Sequence, residues 1–271
     1  MACHAPTFAL MKKQTGTAFA EFVEVIRRLR APDGCPWDRA QSPETLKPYV
    51  IEEAYEVVEA VERGEPAAVC EELGDLLLQI VLQAQIYSET NAFTIADVIQ
   101  GIHAKMLERH PHVFGDAKAD TPEEVRQNWV RIKQETKGEK SSALGEVPRS
   151  LPALLRARRL TENAAQVGFD WSRTEEVVEK VKEEWQELEK ATASGDQKKI
   201  VHEFGDVLFA LVNLARFLKI NPEEALRQTL DRFTARFRFI EDSAQAAGKR
   251  LEEMDLDEME SYWQEAKKKG L

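Results

Sequence analysis

The chain has 271 residues, of which 43% are hydrophobic and 31% charged, and its formal net charge is −11. That length suits two domains better than one, and the balance suits soluble globular units with real cores. The acidic excess excludes a general nucleic-acid or membrane-surface binder, which needs a basic face, but leaves room for a small phosphorylated ligand held through metal.

Three scattered cysteines, Cys3, Cys35 and Cys70, form no C-x-x-C, so neither a disulfide framework nor a zinc ribbon is supported. Met1 to Gln14 is too polar for a secretory signal, and no apolar run approaches the roughly 18 residues of a membrane span. A cytoplasmic location without membrane contact is therefore expected. Residues 1–16 read as a flexible tail. Phe19 to Arg30 carries apolar residues at helical spacing and stops at the breaker-rich Ala-Pro-Asp-Gly-Cys-Pro36. Thr45 to Arg63 reads as a helix ended by Gly64, and Ala67 to about Glu89 as the next. Thr94 is a suitable N-cap for a helix to about His110. Thr121-Pro-Glu-Glu124 opens a short helix through Trp129 and Lys133. Lys137 to Pro152 is rich in Gly, Ser, Pro and charge without period, as a linker is. It separates an N-terminal domain, 17–136, from a C-terminal one, 153–271. No stretch alternates with period two, so the expected class is all-α.

The carboxylates repeat across that linker. Glu52 and Glu53 correspond to Glu183 and Glu184 at an offset of 131 (183 − 52), and Glu56, Glu72 and Asp75 correspond to Glu187, Glu203 and Asp206 at the same offset. Lys105-x-x-x-Arg109 matches Arg232-x-x-x-Arg236, and Trp129-x-x-x-Lys133 matches Trp263-x-x-x-Lys267. The chain thus reads as a tandem duplication of one helical domain. An isolated E-E-x-x-E in so acidic a chain is usually a solvated helix face. Here it is followed twice by a turn and by E-x-x-D inside an apolar run, Phe204 to Val212 in the second copy. Carboxylates converging in a partly buried place repel one another and lose solvation, and a divalent cation relieves both costs. Oxygen-only ligands suit Mg²⁺ or Mn²⁺ rather than zinc. No histidine follows a Glu by three residues, which disfavours a di-iron bundle, and there is no H-E-x-x-H or P-loop. Phosphoanhydride chemistry fits better, because Lys180, Lys199, Arg232, Arg236 and Lys267 supply the cations that a triphosphate needs beside a metal.

Gly34-Cys-Pro-Trp-Asp38, Glu72-Leu-Gly-Asp75, Arg109-His-Pro-His-Val-Phe114, Pro148-Arg-Ser-Leu-Pro152, Val167-Gly-Phe-Asp-Trp171 and Gly205-Asp-Val-Leu-Phe209 together resemble the MazG family of nucleoside triphosphate pyrophosphohydrolases, from about Phe19 to Lys267. The resemblance implies an all-α homodimer that hydrolyses nucleoside triphosphates between the α and β phosphates. It implies Mg²⁺ on Glu184, Glu187, Glu203 and Asp206, with Glu183 behind them or orienting water. Lys180, Lys199, Arg232, Arg236 and Lys267 would meet the phosphates, and Trp263 would lie near the base. The family commonly has Lys where this chain has Arg232. In the first repeat, Glu53, Glu56, Glu72 and Asp75 would form a second metal site. Counting back 131 from Lys180 and Lys199 gives Tyr49 and Ala68, so that copy lacks both lysines and the second repeat is the expected catalyst. Two alternatives stand beside this reading. One is a non-catalytic nucleotide- or metal-sensing dimer that partners a stress system. The other is a narrower enzyme acting on deoxyuridine triphosphate or phosphoribosyl-ATP.

Overall fold

A computed structural model describes residues 8–122, 124–125, 128–129, 132 and 142–271, without the side chains of residues 8–13. Among the described residues all regular structure is helical. The chain divides into two compact units between Ile132 and Lys133.

In the first unit the helices are α1 (Phe8–Leu29), α2 (Pro36–Ala40), α3 (Pro43–Arg63), α4 (Pro66–Glu89), α5 (Ile95–Arg109) and α6 (Pro111–Phe114). The helix expected from Phe19 therefore starts eleven residues earlier, at Phe8. The added stretch is Phe, Ala, Leu, Met, Lys and Gln, mostly good helix formers, and Gly16 inside it is tolerated. A capping box starts α3: the Ser42 hydroxyl accepts from the Thr45 amide at 3.3 Å and the Thr45 hydroxyl from the Ser42 amide at 2.9 Å. Gly64, at φ 69°, ends it in the left-handed conformation. The turn folds α4 back along α3, its principal partner. Ile26, Leu46, Val81, Leu82 and Ile86 form the core, with Phe19, Phe22 and Leu29 packed on it. Thr94 caps α5 as expected, paired reciprocally with Asp97. In the stretch from Thr121, described residues from Pro122 to Ile132 are helical, and Lys133 lies outside the described residues.

A buried arginine closes this unit. Arg30, at the end of α1, donates through Nε and Nη2 to the two carboxylate oxygens of Glu89, each at 2.7 Å. Its Nη1 donates to the carbonyl oxygens of Asp38 and Gln41. One side chain thus ties the ends of α1 and α4 to the turn around α2.

The second unit holds α7 (Ala153–Gln166), α8 (Thr174–Ser194), α9 (Gln197–Phe217), α10 (Pro222–Ala246), a 3₁₀ turn (Leu251–Glu253) and α11 (Leu256–Lys268). Gly195 (φ 70°) turns the chain, and the Asp196 side chain accepts from the amides of Lys198 and Lys199 to start α9. α8 and α9 form a close hairpin, with α7 against α9 and α11 against α10. Val177, Ala191, Val207, Ala210, Val212, Ile240 and Ala266 are buried there. Asn213, 2% exposed, finds its partner within the fold: its Oδ1 accepts from Arg216 Nε at 3.0 Å. Arg216 also grips Asp170.

Candidate active site

The α8–α9 hairpin concentrates acid on one face. Lys180, Glu184 and Glu187 lie along successive turns of α8, at spacings of four and three that put them on one side of the helix. Across the turn, α9 presents Glu203 and Asp206. One carboxylate oxygen from each of Glu184, Glu187 and Glu203 lies within 4.8 Å of the others. Glu203 also belongs to a second group of the same tightness, with His202 and Asp206. Glu184 is buried, and Lys180 Nζ sits 2.8 Å from its Oε1 and 3.0 Å from Oε1 of Glu183. The hydrogen bonds to Glu184 and then Glu183 hold the Lys180 ammonium well above its ordinary pKa, so it stays charged.

His202 is the residue that the sequence reading passed over. Its Nδ1 is 2.9 Å from Asp206 Oδ2 and 3.8 Å from Glu203 Oε1. Its signal in the sequence is His-x-x-x-Asp, an i, i+4 pair on one helix face, a spacing distinct from the Glu-x-x-His of a di-iron bundle.

The remaining expected residues are distributed differently. Glu183 is exposed and paired with Lys180. Lys199 is exposed, with its Nζ 4.0 Å from Asp196. Arg232, Arg236, Trp263 and Lys267 lie on α10 and α11. Arg232 donates to the Thr229 hydroxyl at 2.8 Å, and Arg236 Nε to the Leu271 carbonyl at 2.7 Å. The Arg236 guanidinium stands over the Trp263 ring at 5.4 Å, and Phe233 packs on the same ring. Lys267 is exposed. The expected set thus forms an acidic group on α8–α9 and a basic, aromatic group on α10–α11.

The first unit repeats the acidic half. Glu53, Glu72 and Asp75 offer oxygens within 4.8 Å of one another. Glu56 is outside that group, but its charge acts on Glu53 and Glu72. Burial chiefly, then the neighbouring carboxylates, push Glu53 and Glu72 above the usual range. A hydrogen bond from Gln79 Nε2, 3.3 Å from Glu53 Oε1, opposes the shift at Glu53. Gln79 is buried, and its own Oε1 has no partner. The position equivalent to Lys180 is Tyr49, whose ring stands edge-on to Trp37 at 6.4 Å. Arg109 lies over Trp129 at 4.7 Å, the same pairing as Arg236 on Trp263. Lys105 is exposed on α5.

Both groups fit a hard divalent cation by donor chemistry: three carboxylate oxygens each, close enough to share one ion, with at least one partly or fully buried carboxylate, Glu53 and Glu72 in the first unit and Glu184 in the second. In the second unit Lys180 supplies part of that compensation. In the first unit the Gln79 amide does so at Glu53, and the charge of Arg63 acts at Glu72.

The MazG nucleotide pyrophosphohydrolase domain matches twice, over residues 41–114 and 173–238, and each match contains one acidic group. A nucleoside triphosphate pyrophosphohydrolase/pyrophosphatase MazG from Thermotoga maritima is 47% identical over 94% of this chain and 98% of its own length. A nucleoside triphosphate pyrophosphohydrolase from Escherichia coli is 44% identical over 91% of this chain and 96% of its own. A Bacillus subtilis protein, YabN, described as uncharacterized, is 48% identical over 92% of this chain and 51% of its own length.

Proposed function

The chain belongs to the MazG nucleotide pyrophosphohydrolase family, and we infer that it hydrolyses nucleoside triphosphates between the α and β phosphates, releasing nucleoside monophosphate and pyrophosphate. The observation that carries this reading is the convergence of Glu184, Glu187 and Glu203, with the buried Glu184 held by Lys180. In this reading Glu184, Glu187, Glu203 and Asp206 hold Mg²⁺, or Mn²⁺ in its place. The bound cation neutralises the triphosphate and favours attack by water. Lys180 fixes the orientation of Glu184 and keeps a positive charge beside the phosphates. Glu183, paired to the same lysine, shares in that positioning. Lys199, Arg232, Arg236 and Lys267 contact the phosphates and stabilise the leaving pyrophosphate. Trp263 offers an aromatic face, which stacks on any base, and this favours broad use of ribo- and deoxynucleotides, as in cleansing the nucleotide pool or in a stress response. The first repeat keeps the acidic group of Glu53, Glu72 and Asp75 but has Tyr49 and Ala68 where the second has Lys180 and Lys199, so it is the weaker site. Free Cys35 and Cys70 fit a reducing cytoplasm. No helix among the described residues is long and apolar enough to cross a membrane.

Product analysis tests the central claim. Pure protein mixed with Mg²⁺ and each nucleoside triphosphate should yield monophosphate and pyrophosphate, and a chelator should stop the reaction. Diphosphate plus phosphate would mean that another bond is cut. Binding without turnover of any nucleotide would favour the sensor.

A homodimer belongs to the same proposal. On α9, Phe204, Leu208 and Leu211 form a helical stripe whose members are 54%, 43% and 44% exposed. On α4, Leu73, Leu77 and Ile80 occupy the same positions at the 131 offset, 50%, 37% and 43% exposed. Two equivalent apolar stripes on equivalent hairpins support coverage by a second copy, an isologous arrangement. The wild type should sediment near 61.6 kDa, twice 30.8 kDa, and Leu208→Glu should shift the population toward monomer. A wild-type mass of 30.8 kDa at micromolar concentration would remove the dimer from this reading.

A further inference from the structure

We propose that His202 is a metal ligand, so that His202, Glu203 and Asp206 form a mixed nitrogen–oxygen cation position that prefers a first-row transition dication such as Co²⁺ to Mg²⁺. The proposal rests on the reading of the α8–α9 site as a metal site and gives it a composition that the carboxylates alone do not have. Ligands about 2.0–2.1 Å from one ion in tetrahedral or octahedral array stand roughly 2.8–3.4 Å apart. His202 Nδ1 is 2.9 Å from Asp206 Oδ2, within that spacing, and 3.8 Å from Glu203 Oε1, a few tenths of an ångström beyond it. A hydrogen bond between His202 and Asp206 accounts for the shorter distance. It does not account for the third oxygen, nor for an imidazole at the end of a carboxylate group in want of positive charge.

Glu203 belongs to both groups. An ion on His202, Glu203 and Asp206 would share it with an ion on Glu184, Glu187 and Glu203. The two positions differ in kind: three oxygens suit a hard ion such as Mg²⁺, whereas imidazole suits the transition series. The first unit provides an internal comparison. Its group, Glu53, Glu72 and Asp75, is oxygen-only, and the residue equivalent to His202 (202 − 131) is Glu71. His202 thus gives the second site a ligand that its duplicate lacks. It lies at the surface of α9, 73% exposed, where substitution leaves the core untouched.

The test is metal binding to the full chain, stripped of metal, followed by calorimetry and by the visible absorption of Co²⁺. His202→Ala and His202→Gln are compared with the wild type, and Gln controls for loss of side-chain volume. Both variants should weaken Co²⁺ by at least about ten-fold and alter its ligand-field spectrum, because loss of a direct ligand costs no less than loss of the groups that orient one. Mg²⁺ affinity should change little. The oxygen-only site of the first unit is common to all three proteins and cancels in the comparison. Co²⁺ isotherms and spectra that overlay the wild type would overturn the proposal. So would an equal loss of Mg²⁺ and Co²⁺, which would make His202 a support for Asp206 rather than a ligand. The readout does not involve turnover. A His202-dependent Co²⁺ site in a chain without hydrolysis would uphold this inference and sink the functional one, and the converse result would do the reverse.

Discussion

Glu203→Gln should lower kcat by about 10³-fold or more, a loss of about 4 kcal/mol of transition-state stabilisation, with the helical content and melting of the chain unchanged. The substitution removes one negative charge and keeps the shape. Its effect is large because Glu203 is common to both ligand groups on α8–α9, so one change weakens every cation position there. Glu72→Gln is the same change at the equivalent place in the first repeat, and it should cost about ten-fold or less. The difference arises from the cations beside the acids. Glu184 has Lys180 at 2.8 Å, whereas Tyr49 and Ala68 stand where the first repeat would need Lys180 and Lys199. A site without those lysines repels the triphosphate that its metal would attract. Steady-state kinetics on the two variants decides the matter. If Glu72→Gln abolishes turnover and Glu203→Gln spares it, the repeats have been assigned the wrong way round.

The acidic groups were legible because a duplication prints its pattern twice. A single E-E-x-x-E is common, but Glu53, Glu72 and Asp75 recur as Glu184, Glu203 and Asp206 at one offset; the first three converge in space, and Glu203 converges with Glu184 in one group and with Asp206 in another. Helix ends were legible where one residue decides them, as at Gly64 and Thr94, whereas α3 starts at Pro43 under the Ser42 cap, two residues before the expected Thr45. The start of α1 was not, since Phe8 to Thr17 contains neither a strong cap nor a breaker other than Gly16. Side-chain direction was the other limit. Lys199 lies at the predicted helix position, yet its ammonium lies near Asp196, on the turn it follows. Spacing places a Cβ on a face, and a long flexible side chain then chooses among partners within reach. Gln79 was invisible for a related reason. Its position corresponds to Ala210, and only burial shows that an amide there leans on Glu53. The two repeats thus solve one electrostatic problem by different means: an ammonium at Glu184, and an amide with raised carboxyl pKa values at Glu53 and Glu72.

Arg30→Ala should be the most damaging single substitution in the first unit, by about 3–5 kcal/mol, which corresponds to a fall in melting temperature on the order of 10 °C for a unit of this size. The side chain is 7% exposed and makes two charge-assisted bonds to Glu89 as well as bonds to the carbonyls of Asp38 and Gln41. Its removal takes a donor from the part-buried carbonyls of Asp38, which keeps the Gln41 amide, and of Gln41, and lets the ends of α1 and α4 separate. The partner change, Glu89→Gln, should cost less, because Glu89 is 37% exposed and water replaces part of what is lost. The pH dependence follows from the same contact. Hydrogen bonds from Arg30 hold the Glu89 carboxyl below its ordinary value of 4.5 despite partial burial. A carboxyl lowered on folding contributes stability that is present above its unfolded value and disappears as pH falls through its folded one. The gap between wild type and Arg30→Ala should therefore be widest near pH 6 and narrow steadily below about pH 4.5. Hydrogen exchange gives the local readout. Protection should fall in α1 and α4 of the variant and persist in α8 and α9. A gap that does not narrow in acid would assign the stabilisation to the carbonyl contacts rather than to the ion pair.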